Sequence, residues 1–195
     1  NVMPRLNQLQ INSARDVIKN IFLNNIVSAK GIKQIEADID GVLLPTPGAV
    51  LKAAELLSKG YLHEAGLGEI VLVDIGGATT DIYSIASGNP KTPNAFQRGL
   101  EEPFAKRTVE GDLGMRYSAP GIIKNIEAQT LLLYKEKGID LEKEAELRFN
   151  NPAMIPKSEQ EAEVDRLLGS LCVDIAFSRH VGFMETIYTP LGVMY

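Results

Sequence analysis

Cysteine is nearly absent: Cys172 is the one thiol in 195 residues, so no internal disulfide can form, and no Cys/His group has zinc spacing. That usage fits a reducing compartment, and a cytoplasmic protein is expected. Basic residues are outnumbered, 20 Lys and Arg against 25 Asp and Glu, which argues against a chain built to hold a nucleic-acid polymer on a basic face. Apolar runs stay far short of the roughly 20 residues that span a bilayer. The first residues lack the basic-then-apolar pattern of a signal peptide, so no export and no membrane association are expected. Several catalytic signatures are missing as well. There is no G-x-x-x-x-G-K-[ST] loop, no G-x-G-x-x-G after a strand and no G-x-S-x-G elbow. His63 and His180 fall in separate segments that read as helices, with no nucleophile beside them. For His180 a surface or satisfied core role is the plainer reading.

What remains is a chain with 45% hydrophobic residues, enough for one sizeable core or two small lobes. Apolar residues at helical spacing (Val17, Ile18, Ile21, Phe22, Ile26) predict a helix starting near Asn12 or Ser13. A polar stretch after Gly31 leads to V-L-L-P-T-P-G, and Pro47 suits the first turn of a second helix that stops at Gly60. E-I-V-L-V-D-I has the length and β-branching of a buried strand, and D-I-Y-S-I-A reads as its hairpin partner. Residues 89–108 read as a loop, a short helix is expected from Gly111 to Ala119, and another from Pro120 to Gly138. L-E-K-E-A-E-L-R-F is a weaker helix. Ser158 with Glu161 makes a capping box opening a long helix through Val164, Leu167, Leu168, Leu171, Ile175 and Ser178.

The stretch with most chemistry is D-I-G-G-A-T-T-D, Asp74 to Asp81. Glycines allow close backbone approach, Thr79 and Thr80 offer hydroxyls, and two carboxylates bracket the turn, which is what a phosphate group with a hydrated Mg²⁺ requires. A plain hairpin with a glycine turn explains the same letters. It leaves unexplained why Asp74 interrupts a run that reads as buried, where an unpartnered carboxylate is costly. In P-F-A-K-R-T-V-E-G-D-L-G-M-R-Y, Gly111 and Asp112 would either present helix amides and a carboxylate to a phosphate or simply cap a helix. Lys106 and Arg107 would contact phosphate or belong to a solvated loop.

D-I-G-G-A-T-T-D resembles the second phosphate motif of the actin, sugar kinase and DnaK-type chaperone superfamily. That resemblance implies an α/β fold, a ribonuclease H-like actin-type ATPase lobe with a mixed sheet, covering 1–195 with a helical insertion at about 120–182. It implies that ATP and Mg²⁺ bind, with Gly76, Gly77, Ala78, Thr79 and Thr80 lining the phosphates. Asp74 and Asp81 would serve the metal and attacking water, and Gly111 and Asp112 would lie near the γ-phosphate. Ala78 stands where many members have a third glycine.

P-T-P-G-A-V-L-K-A-A-E-L-L, the middle block quoted above and S-R-H-V-G-F-M-E-T-I-Y-T-P resemble the MutL-type accessory proteins encoded with adenosylcobalamin-dependent glutamate mutase, which are unrelated to mismatch repair. The resemblance implies an ATP-dependent reactivating chaperone whose partners are mutase subunits. An actin-like filament or scaffold protein, or a hydantoinase- or sugar-kinase-like enzyme, are the alternatives on the same fold. The chain begins at Asn1 and ends on Y-T-P-L-G-V-M-Y, which reads as a strand cut short, so a fragment is expected. The first phosphate loop and the adenosine loop of the superfamily are not in it, and the fragment alone is expected to lack ATPase activity.

Overall fold

The computed structural model describes residues 2–6, 10–27, 45–97, 102–190 and 192–195. The predicted polar stretch from Gly31 to Leu44 lies outside them, as do the side chains of Phe22 and Ile26. Helices α1 (Ile11–Val27) and α2 (Thr46–Lys59) come first. In α1 the side chains of Val17, Ile18 and Ile21 are exposed. Contacts divide the chain within α2, into Asn1–Ala53 and Ala54–Tyr195. All that follows concerns the second unit.

There, strands β1 (Gly60–Tyr61) and β2 (Glu64–Ala65) form a miniature hairpin. His63 sits in its turn, not in a helix. The central sheet has the order β3 (Ile70–Ile75), β4 (Thr80–Ile85), β5 (Ala105–Glu110). Every strand pairing among the described residues is antiparallel, where the resemblance implies a mixed sheet. The cause is local: each strand of the central sheet pairs with the one next in sequence.

β4 is the middle strand and is buried on both faces, with Ile82, Tyr83 and Ile85 essentially inaccessible. β3 is an edge strand. Its apolar run is only half covered, Val71 and Val73 being exposed, and Asp74 is exposed too. The premise that Asp74 interrupts a fully buried run is therefore corrected.

β5 occupies part of the stretch predicted as a loop. A-K-R-T-V-E hides its strand character behind charges, and the fold gives each charge a partner. Lys106 donates to Glu102 (2.7 Å) and to the His180 carbonyl (2.6 Å), whereas Arg107, on the opposite face, reaches Asp81.

Four helices follow: α3 (Ala119–Lys124), α4 (Ala128–Glu136), α5 (Leu141–Asn150) and α6 (Glu159–Val181). The predicted helix 111–119 is instead a run of turns, and the predicted helix after Pro120 is split in two. It breaks because Asn125 turns its amide to the Gly121 carbonyl (2.7 Å) and Asp112 (3.0 Å), and Glu127 adopts an extended ψ of 143°. α6 opens as predicted, with Ser158 Oγ accepting from the Glu161 N–H (3.2 Å) and the Glu161 carboxylate accepting from the Lys157 N–H (2.6 Å).

Val164, Leu168, Cys172, Ala176 and His180 recur every fourth residue along α6 and are all buried. With Ile82, Leu113, Ile122 and Leu141, the first four form the core. Burial pushes the Cys172 thiol up to about 11, so it behaves as a small apolar side chain. His180 is the satisfied core histidine: Nδ1 lies 2.8 Å from Thr108 Oγ1 and Nε2 2.8 Å from Ser84 Oγ. Burial, with Lys106 adding to it, lowers its pKa.

The helical layer is locked by ions. Arg148, fully buried, donates to Asp165 (2.5 Å), Glu144 (2.7 Å) and the Glu161 carbonyl (3.1 Å). Asp165 also accepts from Arg116 (2.8 Å). Burial alone would raise the Asp165 pKa, but the Arg148 and Arg116 donors outweigh it and hold the carboxyl low. A carboxylate with a depressed folded-state pKa stabilises fully above the unfolded value of about 3.9, and this contribution is lost as pH falls below it. Urea titrations of the wild type between pH 5 and pH 3 should therefore lose stability more steeply than those of Asp165→Asn. At pH 7 Asp165→Ala should cost about 3 kcal/mol, because it takes a partner from a fully buried guanidinium. Parallel curves for wild type and Asp165→Asn would remove Asp165 from the acid response.

Candidate functional site: the Gly76–Thr79 turn

The hairpin pairs Asp74 with Asp81 and Ile75 with Thr80, leaving Gly76 to Thr79 as the turn. The Gly76 N–H donates to the Thr79 carbonyl (2.8 Å), but the reverse bond is not made, because the Gly76 carbonyl is taken by another segment. That segment is the strap Leu113–Arg116. Met115 N–H donates to the Gly76 carbonyl (3.0 Å), Arg116 N–H donates to the Gly77 carbonyl (2.8 Å), and Thr80 Oγ1 donates to the Leu113 carbonyl (3.0 Å).

These bonds fix the direction of the turn's donors. In a trans peptide the C=O and the following N–H point in opposite directions. With the Gly76 and Gly77 carbonyls aimed at the strap, the N–H groups of Gly77 and Ala78 aim away from it. Among the described residues no hydrogen bond occupies the N–H of Gly77, Ala78 or Thr79. Ala78 is exposed, and Gly77 and Thr79 are half-buried, so solvent reaches the turn. Successive free amides of this kind are chemically suited to anionic oxygen.

Neither Gly76 nor Gly77 has a positive φ; a Cβ on Gly76 would stand 3.1 Å from the Thr79 carbonyl oxygen, a tight contact, whereas one on Gly77 would find ordinary van der Waals distances of 3.6 Å or more. The critical glycine lies on the strap. A Cβ on Gly114 would stand 2.5 Å from the Ala78 carbonyl carbon and 2.7 Å from the Gly77 oxygen. Gly121 is similar, since its Cβ would meet the Asp112 oxygen at 1.8 Å. Neither glycine is marked by sequence pattern, because the crowding comes from residues distant along the chain.

Asp74 and Asp81, opposite each other on antiparallel strands, share one face of the sheet. Like charges so placed repel, and Arg107 relieves this by holding Asp81 Oδ1 with Nε (2.8 Å) and Nη2 (2.6 Å). The Arg107 guanidinium also lies 5.9 Å from the Tyr83 ring centre. Burial, then the Asp81 charge, raises the Tyr83 pKa. Asp74 is exposed, whereas Asp81 is buried; among the described residues no hydrogen bond is made to the Asp74 carboxylate or to Asp81 Oδ2. Among the described residues no group of three or more His, Cys, Asp or Glu is arranged for a metal ion, so a cation here would rest on this pair and on water.

The other predicted site residues are placed differently. Thr80 is buried with its hydroxyl committed to Leu113, leaving Thr79 as the hydroxyl at the turn surface. Gly111 faces open space. Asp112 does not start a helix: it receives Arg179 Nη1 (2.9 Å) and Nη2 (3.2 Å) and the Asn125 amide (3.0 Å). The Arg179 hydrogen bonds are the main reason its pKa is lowered. Lys106 is spent on Glu102 and His180, so neither member of the Lys-Arg pair is a solvated loop residue. What the sequence reading missed is Arg116 and Gly114; the G-M-R of the middle block was the only signal for them.

The family model described as MutL protein matches residues 1–195. A curated relative, "Protein MutL" from Clostridium tetanomorphum, is 48% identical over 196 residues, covering 100% of this chain and 42% of its own length. The chain therefore spans less than half of that relative. No solved structure matches it.

Placing a methyl group on the strap tests the geometry of the turn. Gly114→Ala should destabilise by about 1–3 kcal/mol through overpacking, read as a lowered urea midpoint. Gly111→Ala, with nothing within 4 Å of the added carbon, should stay within about 0.5 kcal/mol of wild type. Equal midpoints for both variants would contradict the contact described.

Proposed function

Because the chain belongs to the MutL protein family, we propose that it carries the phosphate-sensing turn of an ATP-dependent reactivating chaperone for an adenosylcobalamin-dependent aminomutase of the glutamate mutase kind. The observation that carries this reading is the pair of outward-facing, unpartnered N–H groups at Gly77 and Ala78, close in sequence to the exposed carboxylate of Asp74. Mg-ATP, when bound, supplies a charged phosphate chain whose terminal group can be lost, changing the charge that the turn meets.

The chain's own residues then have distinct parts. The Gly77 and Ala78 amides and the Thr79 hydroxyl would bind phosphate oxygen. Asp74 would hold a hydrated Mg²⁺, and Arg107, by occupying Asp81 Oδ1, would leave Oδ2 for the metal or a water. Arg107 also cancels one of the two carboxylate charges, which limits their repulsion of a phosphate. Cobalamin exchange on the mutase would follow from motion driven by phosphate occupancy, with mutase subunits as the partners. The superfamily resemblance and the mixed helix-and-strand architecture support an actin-like lobe as the setting.

Calorimetric titration of the full-length protein that contains this chain with Mg-ATP should show binding, weakened roughly tenfold in Asp74→Ala, which corresponds to about 1.4 kcal/mol. Unchanged affinity would take Asp74 out of the site. Mutase carrying damaged cobalamin should regain activity only with both the protein and Mg-ATP present. Recovery with ADP alone would overturn the ATP requirement.

A further inference from the structure

The strap that aims the turn's amides outward is itself held by one side chain. Arg116 donates its backbone N–H to the Gly77 carbonyl, and its guanidinium leaves in the other direction, to Asp165 on α6 (2.8 Å), the Met154 carbonyl (3.2 Å) and the Met115 carbonyl (2.7 Å). The side chain is mostly buried, 16% exposed, so these bonds are shielded from water. Asp165 is at the same time fixed by the fully buried Arg148 and thereby tied to α5. A single residue thus has its main chain on the turn and its side chain in the ion network of the helical layer.

We propose that Arg116 is a positioning residue for the phosphate turn and the link through which occupancy of the turn is passed to helices α5 and α6. This rests on the phosphate-binding reading above and adds to it the part of the molecule that responds. An anion drawing on the Gly77 and Ala78 amides pulls on the same peptide units whose carbonyls face the strap. The strap cannot yield without displacing Arg116 from Asp165. Coupling of this kind is reciprocal: whatever shifts α6 at Asp165 alters the affinity of the turn by the same factor. The route is contiguous and consists of two backbone bonds and one ion pair.

Two neighbouring features favour this residue over others on the strap. Met115 offers the turn only its N–H, and its apolar side chain packs into the core. Leu113 accepts from Thr80 but belongs to the core itself. Only Arg116 crosses from the turn to a charged partner on another element. Its loss leaves Asp165 still paired with Arg148, so the fold retains its main ion pair. Lys cannot span three acceptors as the guanidinium does, which makes Arg116→Lys a test of geometry at constant charge.

Hydrogen exchange and Mg-ATP titration on the same samples of the full-length protein that contains this chain test the link. In the wild type, Mg-ATP should slow exchange at the turn, at Met115 and Arg116, and in α6 around Asp165. In Arg116→Lys and Arg116→Gln the slowing should stop at the turn, and affinity should fall about tenfold as the competent orientation drops to about a tenth of the population. Urea midpoints of the two variants report their folding, and Arg116→Lys is decisive where Arg116→Gln unfolds. Wild-type binding with slowing confined to the turn, or variants that bind and spread protection as the wild type does, would overturn the link and leave the phosphate site standing. A wild type that binds no Mg-ATP would overturn the site and the link together.

Discussion

Two backbone hydrogen bonds, Met115 N–H to the Gly76 carbonyl and Arg116 N–H to the Gly77 carbonyl, govern the rest of this site. They act through the rigidity of the peptide plane. Once the carbonyls are taken inward, the donors of the next residues have no choice but to face outward. A free hairpin turn of the same sequence would be able to satisfy itself across Gly76 and Thr79 and would offer a weaker, more mobile set of amides. The chemistry available at the surface is thus decided one layer below it, by residues 39 positions further along the chain.

The helical layer depends on the same segment from the other side. Its core is ordinary apolar packing around the every-fourth-residue stripe of α6, and two polar networks hold it: Arg148, Asp165, Glu144 and Arg116 in one, Arg179 with Glu110, Asp112 and Asn125 in the other. Buried ion networks of this type add less to net stability than to the choice of one arrangement over others, because each charge pays desolvation before it gains a partner. In a molecule whose proposed role is to alternate between states, fixing one arrangement without an excess of stability is the useful property.

Much of the central hairpin was legible, because β-branched apolar residues around a glycine turn have few other uses, and the capping box at Ser158 announced α6. β5 was hidden because its sequence is charged, and only the fold shows that Asp81, Glu102 and the His180 carbonyl await those charges. The break at Asn125 was equally invisible: a helical pattern continues through it, and the reasons it stops, Asp112 and Arg179, are brought there by tertiary structure. Within the proposed site, the hairpin turn that follows Asp74 was legible from spacing, whereas the commitment of Thr80 to Leu113 and of Asp112 to Arg179 was not. Both are side chains whose chemistry suggests a ligand and whose neighbours supply a protein partner instead.

Gly114 carries this one step further. Anion recognition by main-chain N–H groups is indifferent to the side chains that decorate them, so Ala78, whose side chain is exposed, is free to vary in size and polarity. Gly114 touches no ligand, yet a single methyl group there collides with the turn. Tolerance to substitution is therefore inverted relative to distance from the proposed ligand: the surface proposed to meet phosphate is permissive, and a stricter position lies behind it. A search for functional residues guided only by what faces the solvent would pass over the residue on which the arrangement turns.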